Sequence, residues 1–266
     1  MKSALVPCLV LTFKAFSLVS ATSLDQQDTR NERCQADGSS KPQNPRPLGN
    51  YTYWGMTTDA HECTNVTRKI IYSKDGSIVD AAIATLLCMG VALPHRMGLG
   101  GGFIATVYNQ SSQEAQVLIA RERAPLCAQE DMFTRNPNES LVGGKAVAVP
   151  GELRGYHELH KRYGKLNWSV LFEDAIKLAT YGFPIGEDLA SALKAADNKT
   201  FALANKTSWQ AFVNNNTKKV LQKGDKLIQL DLAKTLDDIA KNGADYFIMA
   251  PSLRNSFKKS LTMVSG

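Results

Sequence analysis

Residues 78–91 are apolar on nearly every side, with Asp80 the one charge among them. A run of that length and composition predicts a helix buried on most of its faces. Asp75-Gly76-Ser77 precedes it, and the Ser77 hydroxyl can accept from the free N–H groups of a first helical turn. After Pro94 comes a glycine segment, Gly98-Leu99-Gly100-Gly101-Gly102, and then Phe103–Tyr108, rich in β-branched and aromatic residues. A turn over Asn109–Ser112 and a returning run Gln116–Ala120 complete a predicted hairpin.

Helical periodicity dominates downstream. Residues 151–163 set Leu153, Tyr156, Leu159 and Tyr163 on one face. Residues 168–181 do the same with Leu171, Ala175, Leu178 and Ala179, and Gly182 is a stop. Two more helices are expected over 188–196 and 231–241, the second stopped by Gly243. Helices around a hairpin, with little strand–helix–strand alternation, predict an α+β or layered α/β architecture.

The ends read differently. Lys2 is followed by the apolar stretch Ala4–Phe13, then Lys14, then Ala15–Ala21, where Val19 and Ala21 are the small residues a signal peptidase requires. A run of ten residues falls short of the roughly 20 that span a bilayer, so residues 1–21 are expected to be a cleaved signal peptide. The alternative is a short uncleaved anchor with Lys14 snorkelling. Residues 22–50, polar and carrying Pro42, Pro45 and Pro47, read as a disordered linker. A globular domain is expected over 51–250, followed by a divergent tail, 251–266, with no clear fold signal.

The formal charge of +6 is ordinary for 266 residues, and no run of Lys or Arg interleaves with aromatics, so no nucleic-acid partner is expected. Asn-x-Ser/Thr occurs at Asn50, Asn65, Asn109, Asn138, Asn167, Asn198, Asn205 and Asn215. Composition alone gives about two such sites, so the excess points to the secretory pathway. All but Asn167, which sits beside Trp168 at a helix start, are expected to carry glycans. The expected location is extracellular, or the outer face of the plasma membrane if the N-terminal segment is retained. With Cys8 lost, Cys34, Cys63, Cys88 and Cys127 remain, and three pairings are open to them. No Cys/His spacing suits zinc, and neither metal nor organic cofactor is expected.

Two stretches carry chemistry. The glycine segment follows a helix and precedes a strand, the reverse of a nucleotide-binding loop, so it is expected to be a tight crossing that only glycine permits. In Arg121-Glu122-Arg123-Ala124-Pro125 a strand ends on an arginine, whose guanidinium can bind a carboxylate bidentately or form a surface ion pair.

The order of these stretches resembles the γ-glutamyltransferase (glutathione hydrolase) family. The resemblance rests on Thr58-Asp59-Ala60-His61-Glu62-Cys63, Gly76–Ala84, Met97–Phe103, Ala120–Pro125, Val147–Tyr156 and Gly182–Gly186, in register over about residues 53–250. It implies the N-terminal-nucleophile hydrolase fold, an αββα sandwich, of which this chain would be the large-subunit half. It also implies action on the γ-glutamyl bond of glutathione, by hydrolysis or transfer to amino acids or dipeptides, through a threonine at the start of a separate small subunit. No Thr-x-His segment of the kind that carries that nucleophile occurs in these residues, so no catalytic residue is assigned and the chain alone is expected to be inactive. The alternative is a secreted, noncatalytic or truncated glycoprotein of the same family. The family's arginine that binds the γ-glutamyl α-carboxylate corresponds to Arg121. Its paired cysteines correspond to Cys63 and Cys88, here one residue farther apart, which implies a small insertion within Lys69–Lys74. Arg123 occupies a variable family position and is expected to lie on the opposite side of the segment from Arg121.

Overall fold

A computed structural model describes residues 53–141, 144–197 and 207–249. The N-terminal segments 1–21 and 22–50, Cys34, Asn50, Asn198, Asn205 and the tail from 251 lie outside them. The secondary-structure elements all belong to the unit that runs from Met56 onward.

Helix α2 (Ile78–Ala92) is the centre of the core. Val79, Ile83, Leu87 and Val91 are buried on it, and Asp80 is fully enclosed. A reciprocal cap starts the helix: Ser77 Oγ accepts from the Asp80 N–H at 3.0 Å, and Asp80 Oδ2 accepts from the Ser77 N–H at 2.9 Å. The same Oδ2 accepts from the N–H groups of Lys165 at 2.9 Å and Leu166 at 3.1 Å, tying a distant turn to the helix start.

Ahead of α2, a 3₁₀ turn (His61–Cys63) runs into α1 (Thr64–Arg68) and then into a π turn, Lys69–Ser73. There the Lys74 N–H donates to the Lys69 carbonyl, five residues back, at 3.2 Å. A π turn takes one residue more than an α turn, and this one lies within the segment where an extra residue is expected. The Cys63 and Cys88 sulfurs are bonded, fastening this turn to α2, with their Cα atoms 5.7 Å apart.

Strands β1 (Phe103–Asn109) and β2 (Glu114–Ala120) form the expected hairpin, antiparallel from Phe103↔Ala120 to Asn109↔Glu114. The returning strand begins two residues earlier than the sequence suggests. Asn109 Oδ1 accepts from the Ser111 N–H at 2.9 Å, and Gln113 takes φ 56°, which together close the turn within 110–113. Alternation along β1 buries Phe103, Ala105 and Val107 on one face of the hairpin. On the other face Ile104 pairs with Ile119 and Thr106 with Val117, and Ile119 is 70% exposed and Val117 62% exposed.

Helix α3 (Glu152–Tyr163) packs between the hairpin and α2. The expected helix over 168–181 divides into a 3₁₀ turn, Trp168–Phe172, and α4 (Glu173–Tyr181), which ends at Gly182 with φ 73°. Strand β3 (Phe183–Pro184), α5 (Glu187–Ala196), strand β4 (Lys226–Leu227), α6 (Leu230–Asn242) and α7 (Ala244–Met249) complete the described chain. Strands β3 and β4 pair antiparallel, and α4 packs on both α2 and α6. The result is an α+β arrangement in which a helical layer backs a single hairpin. Among the described residues no helix is long and apolar enough to cross a membrane.

Candidate functional site at the end of strand β2

Three segments converge where β2 ends. The glycine segment, the Arg121–Arg123 stretch and the start of α3 are joined by four backbone hydrogen bonds. The N–H groups of Gly151 and Glu152 both donate to the Gly101 carbonyl at 3.0 Å. Arg123 and Val149 exchange bonds, Arg123 N–H to Val149 carbonyl at 3.0 Å and the reverse at 2.8 Å.

Two glycines grip the Ala120–Arg121 peptide between them. A Cβ on Gly102 would lie 2.5 Å from the Ala120 carbonyl oxygen and 2.9 Å from the Arg121 Cα. A Cβ on Gly151 would lie 2.3 Å from that same oxygen and 2.7 Å from the Arg121 carbonyl oxygen. Both approaches are closer than carbon–oxygen contact permits, so the backbone that launches Arg121 is set by close packing against both glycines. The tight crossing expected of the whole glycine segment therefore belongs to Gly102. Gly98 and Gly100 face open space.

The Arg121 side chain is 53% exposed, and its Nη2 contacts Glu122 Oε2 at 3.1 Å. Half in water, that pair contributes little to stability, and the guanidinium remains able to exchange partners. Alternation gives no ground for the expected placement of Arg123 opposite Arg121. Residues two apart in an extended segment share a side, both are exposed or nearly so, and the Arg123 backbone is fixed on Val149.

Behind the pair lies a group that the sequence did not announce. Glu152 is buried on the inner face of α3, 4% exposed, and one of its carboxylate oxygens accepts from the hydroxyl of Tyr156, one turn later. Tyr156 is itself 1% exposed and stacks on Phe103 at the start of β1, with ring centroids 5.1 Å apart. Burial pushes the Glu152 carboxyl up to about 7; the Tyr156 hydrogen bond opposes that, the Glu122 charge adds to it and the Arg121 charge subtracts. The Tyr156 hydroxyl is held well above its ordinary value by burial and by the Glu152 charge. The one available signal was the i, i+4 spacing of Glu152 and Tyr156, which places a carboxyl on the same face as Tyr156 and Leu159.

The other assigned positions lie elsewhere. Asn65, Asn109, Asn138 and Asn215 are exposed, and so is Asn167, so access does not set it apart from the rest. Cys127 is exposed and unbonded.

An exposed guanidinium thus stands at a strand end, beside a glycine segment and the start of a helix, on an α+β scaffold. Residues 63–250 match the family model described as Gamma-glutamyltranspeptidase, and the chain belongs to that family, of which it carries the large-subunit portion of the N-terminal-nucleophile hydrolase fold. It is 41% identical over 221 residues to Scoloptoxin SSD14 of Scolopendra dehaani, covering 82% of this chain and 38% of that protein. It is 38% identical over 197 residues to the Glutathione hydrolase 5 proenzyme of Rattus norvegicus, covering 73% and 34% respectively. The structure superposes on gamma-glutamyltranspeptidase of Helicobacter pylori with a TM-score of 0.72 at 30% identity, over 80% of this chain and 61% of that one. The chain thus spans about a third of the length of the first two relatives.

Proposed function

We propose that this chain is the large-subunit portion of a glutathione hydrolase, and that Arg121 binds the α-carboxylate of the γ-glutamyl group. The observation that carries the proposal is the placement of Arg121. Its backbone is packed against Gly102 and Gly151, while its guanidinium is exposed and paired with a neighbouring carboxylate. An incoming carboxylate can replace Glu122 on that guanidinium with two parallel N–H···O bonds.

With the substrate anchored there, a threonine hydroxyl supplied from outside these residues attacks the γ-carbonyl. Its own α-amine takes the proton, and the amine of the leaving group receives it as the C–N bond breaks. Water hydrolyses the resulting ester, or an amino acid or dipeptide accepts the acyl group. The outer face of the hairpin, with Ile104, Val117 and Ile119 exposed, supports a requirement for a further portion of the fold that covers it. The many sequons, with Asn65, Asn109, Asn138 and Asn215 exposed, support export and glycosylation.

Release of glutamate from a γ-glutamyl anilide tests the proposal. The 266-residue chain alone should release none. Joined to the nucleophile-bearing portion of a glutathione hydrolase it should turn over, and Arg121→Gln should lower that activity by at least about 30-fold. Turnover by the chain alone that survives repurification, or a joined enzyme indifferent to Arg121, would refute it. The same assay separates this reading from that of a noncatalytic secreted glycoprotein, for which the joined protein stays silent.

A further inference from the structure

We propose that Glu152 is a positioning residue for Arg121, taking a proton from solvent as a ligand carboxylate occupies the guanidinium and returning it on release. The inference rests on the reading of Arg121 as the carboxylate clamp.

Geometry carries it. Glu152 is buried at the start of α3, where its backbone N–H is tied to Gly101, and a Cβ on Gly101 would stand 3.4 Å from its second carboxylate oxygen and 3.9 Å from Glu122 Oε1. Two carboxyl groups, Glu122 and Glu152, thus border the same glycine. The Tyr156 hydroxyl that donates to Glu152 is fixed by the stack on Phe103. The charged and titratable groups facing Glu152 are Tyr156 on its own helix and Arg121 and Glu122 at the strand end, while the glycine segment brings none. Arg154, on the same helix, engages Asp245 at 3.1 Å instead.

The Arg121 guanidinium thus contacts one carboxyl, Glu122, and its charge also acts on a second, Glu152, across Gly101. A ligand carboxylate makes a third, and the three cannot all stay ionised around a single guanidinium without repulsion. Glu122 is partly exposed and its charge is solvated. Glu152 is enclosed, already near neutrality at about 7, and is the group that yields. A bound anion raises it further. By reciprocity, affinity for the ligand is constant below pH 7 and falls above it, by up to about tenfold per pH unit, until the bound-state value is passed. The neutral carboxyl keeps its acceptor for Tyr156, so the wall behind Arg121 keeps its shape.

The first test needs no catalysis. The full chain, labelled with ¹³C at its Glu side-chain carboxyls, is titrated by NMR, and the Glu152 signal is identified by its loss in Glu152→Gln. If that variant does not fold, the signal is identified by its displacement in Tyr156→Phe. The midpoint is expected at about 7 and should move upward in Arg121→Gln, since the guanidinium favours the ionised form. It should also move upward in Tyr156→Phe, which removes a donor to that form. A midpoint in the ordinary glutamate range, or one unmoved by Arg121→Gln, overturns the proposal.

The second test uses the joined enzyme. KM for a γ-glutamyl anilide should climb above about pH 7 in the wild type and stay flat in Glu152→Gln. Identical KM profiles in the two overturn the proposal and leave the Arg121 assignment standing. An unchanged KM in Arg121→Lys sinks the clamp itself, and that result does not depend on Glu152.

Discussion

Asp80→Ala is expected to be among the most damaging single substitutions in this chain. The carboxylate is fully enclosed, and its Oδ2 accepts three N–H groups, from Ser77 and Lys165 at 2.9 Å and Leu166 at 3.1 Å. Hydrogen bonds to a charged group contribute about 1.5–3 kcal/mol each, and donors left dry cost most. Ser77 and Leu166 are half-buried and Lys165 is exposed, so part of the loss is recovered from water. The net cost is about 3–5 kcal/mol, or roughly 6–20 °C in Tm for a domain of this size. Asp80→Asn keeps one oxygen for the three donors. Its amide then takes the place of Oδ1, which has no hydrogen-bond partner and lies 3.8 Å from His160 Nε2. That nitrogen donates to the Leu166 carbonyl at 2.7 Å, so the amide meets a donor and the substitution costs about 1–2 kcal/mol. Thermal melts by circular dichroism, with Ser77→Ala as the cap-only control at about 1 kcal/mol, read all three. If Asp80→Ala melts within a degree or two of wild type, or Asp80→Asn falls as far as Asp80→Ala, the acceptor geometry is not what holds this junction.

Three further outcomes are expected. Gly151→Ala should displace the Arg121 backbone, costing about 1–3 kcal/mol of stability and lowering ligand affinity as well; a variant that melts and binds like wild type contradicts the close packing of Gly151 on this peptide. Peptide mapping without reduction should find Cys63 linked to Cys88, a bridge worth about 3.5 kcal/mol on loop entropy, and Cys63 linked to Cys127 or Cys34 instead would disprove the pairing. Glu152 is raised in the folded chain, so its contribution is fully present below the ordinary glutamate range and is lost as pH rises through about 7, a decline of about 3 kcal/mol. Glu152→Gln should remove that decline, which spans pH 4.5 to about 7, and parallel melting profiles for the two proteins would rule it out.

The parts of the fold visible in the sequence are those written in local periodicity. Helix α2, its Ser77 cap, the hairpin and the inner face of α3 each arise from residues a few positions apart. Strands β3 and β4 are two residues each and exist because Phe183 meets Leu227 across 44 positions, which no local pattern encodes. The π turn at Lys69–Ser73 has no periodic signal of its own in the sequence. Arg121 was legible as a strand-end cation within a motif. What positions it was not, since Gly102 and Gly151 lie far apart in sequence and act by touching the same peptide. Glu152 escaped because periodicity marks which face is buried and says nothing about a carboxyl lodged within it. The outer hairpin face reads as ordinary strand residues in sequence and becomes conspicuous only when nothing within the described residues covers Val117 and Ile119.

The central claim is that Arg121 clamps the γ-glutamyl carboxylate, and steady-state kinetics of Arg121→Lys and Arg121→Gln in the joined enzyme test it most directly. Removing one partner of a desolvated, hydrogen-bonded charge pair costs about 2–5 kcal/mol, so Arg121→Gln should lose roughly 30- to several-thousand-fold in kcat/KM. Arg121→Lys, which replaces the fork with a point charge, should lose at least about tenfold. Losses below about fivefold in both variants, the scale of an exposed ion pair worth under about 1 kcal/mol, would show that Arg121 only pairs with Glu122 at the surface and that the carboxylate is bound elsewhere.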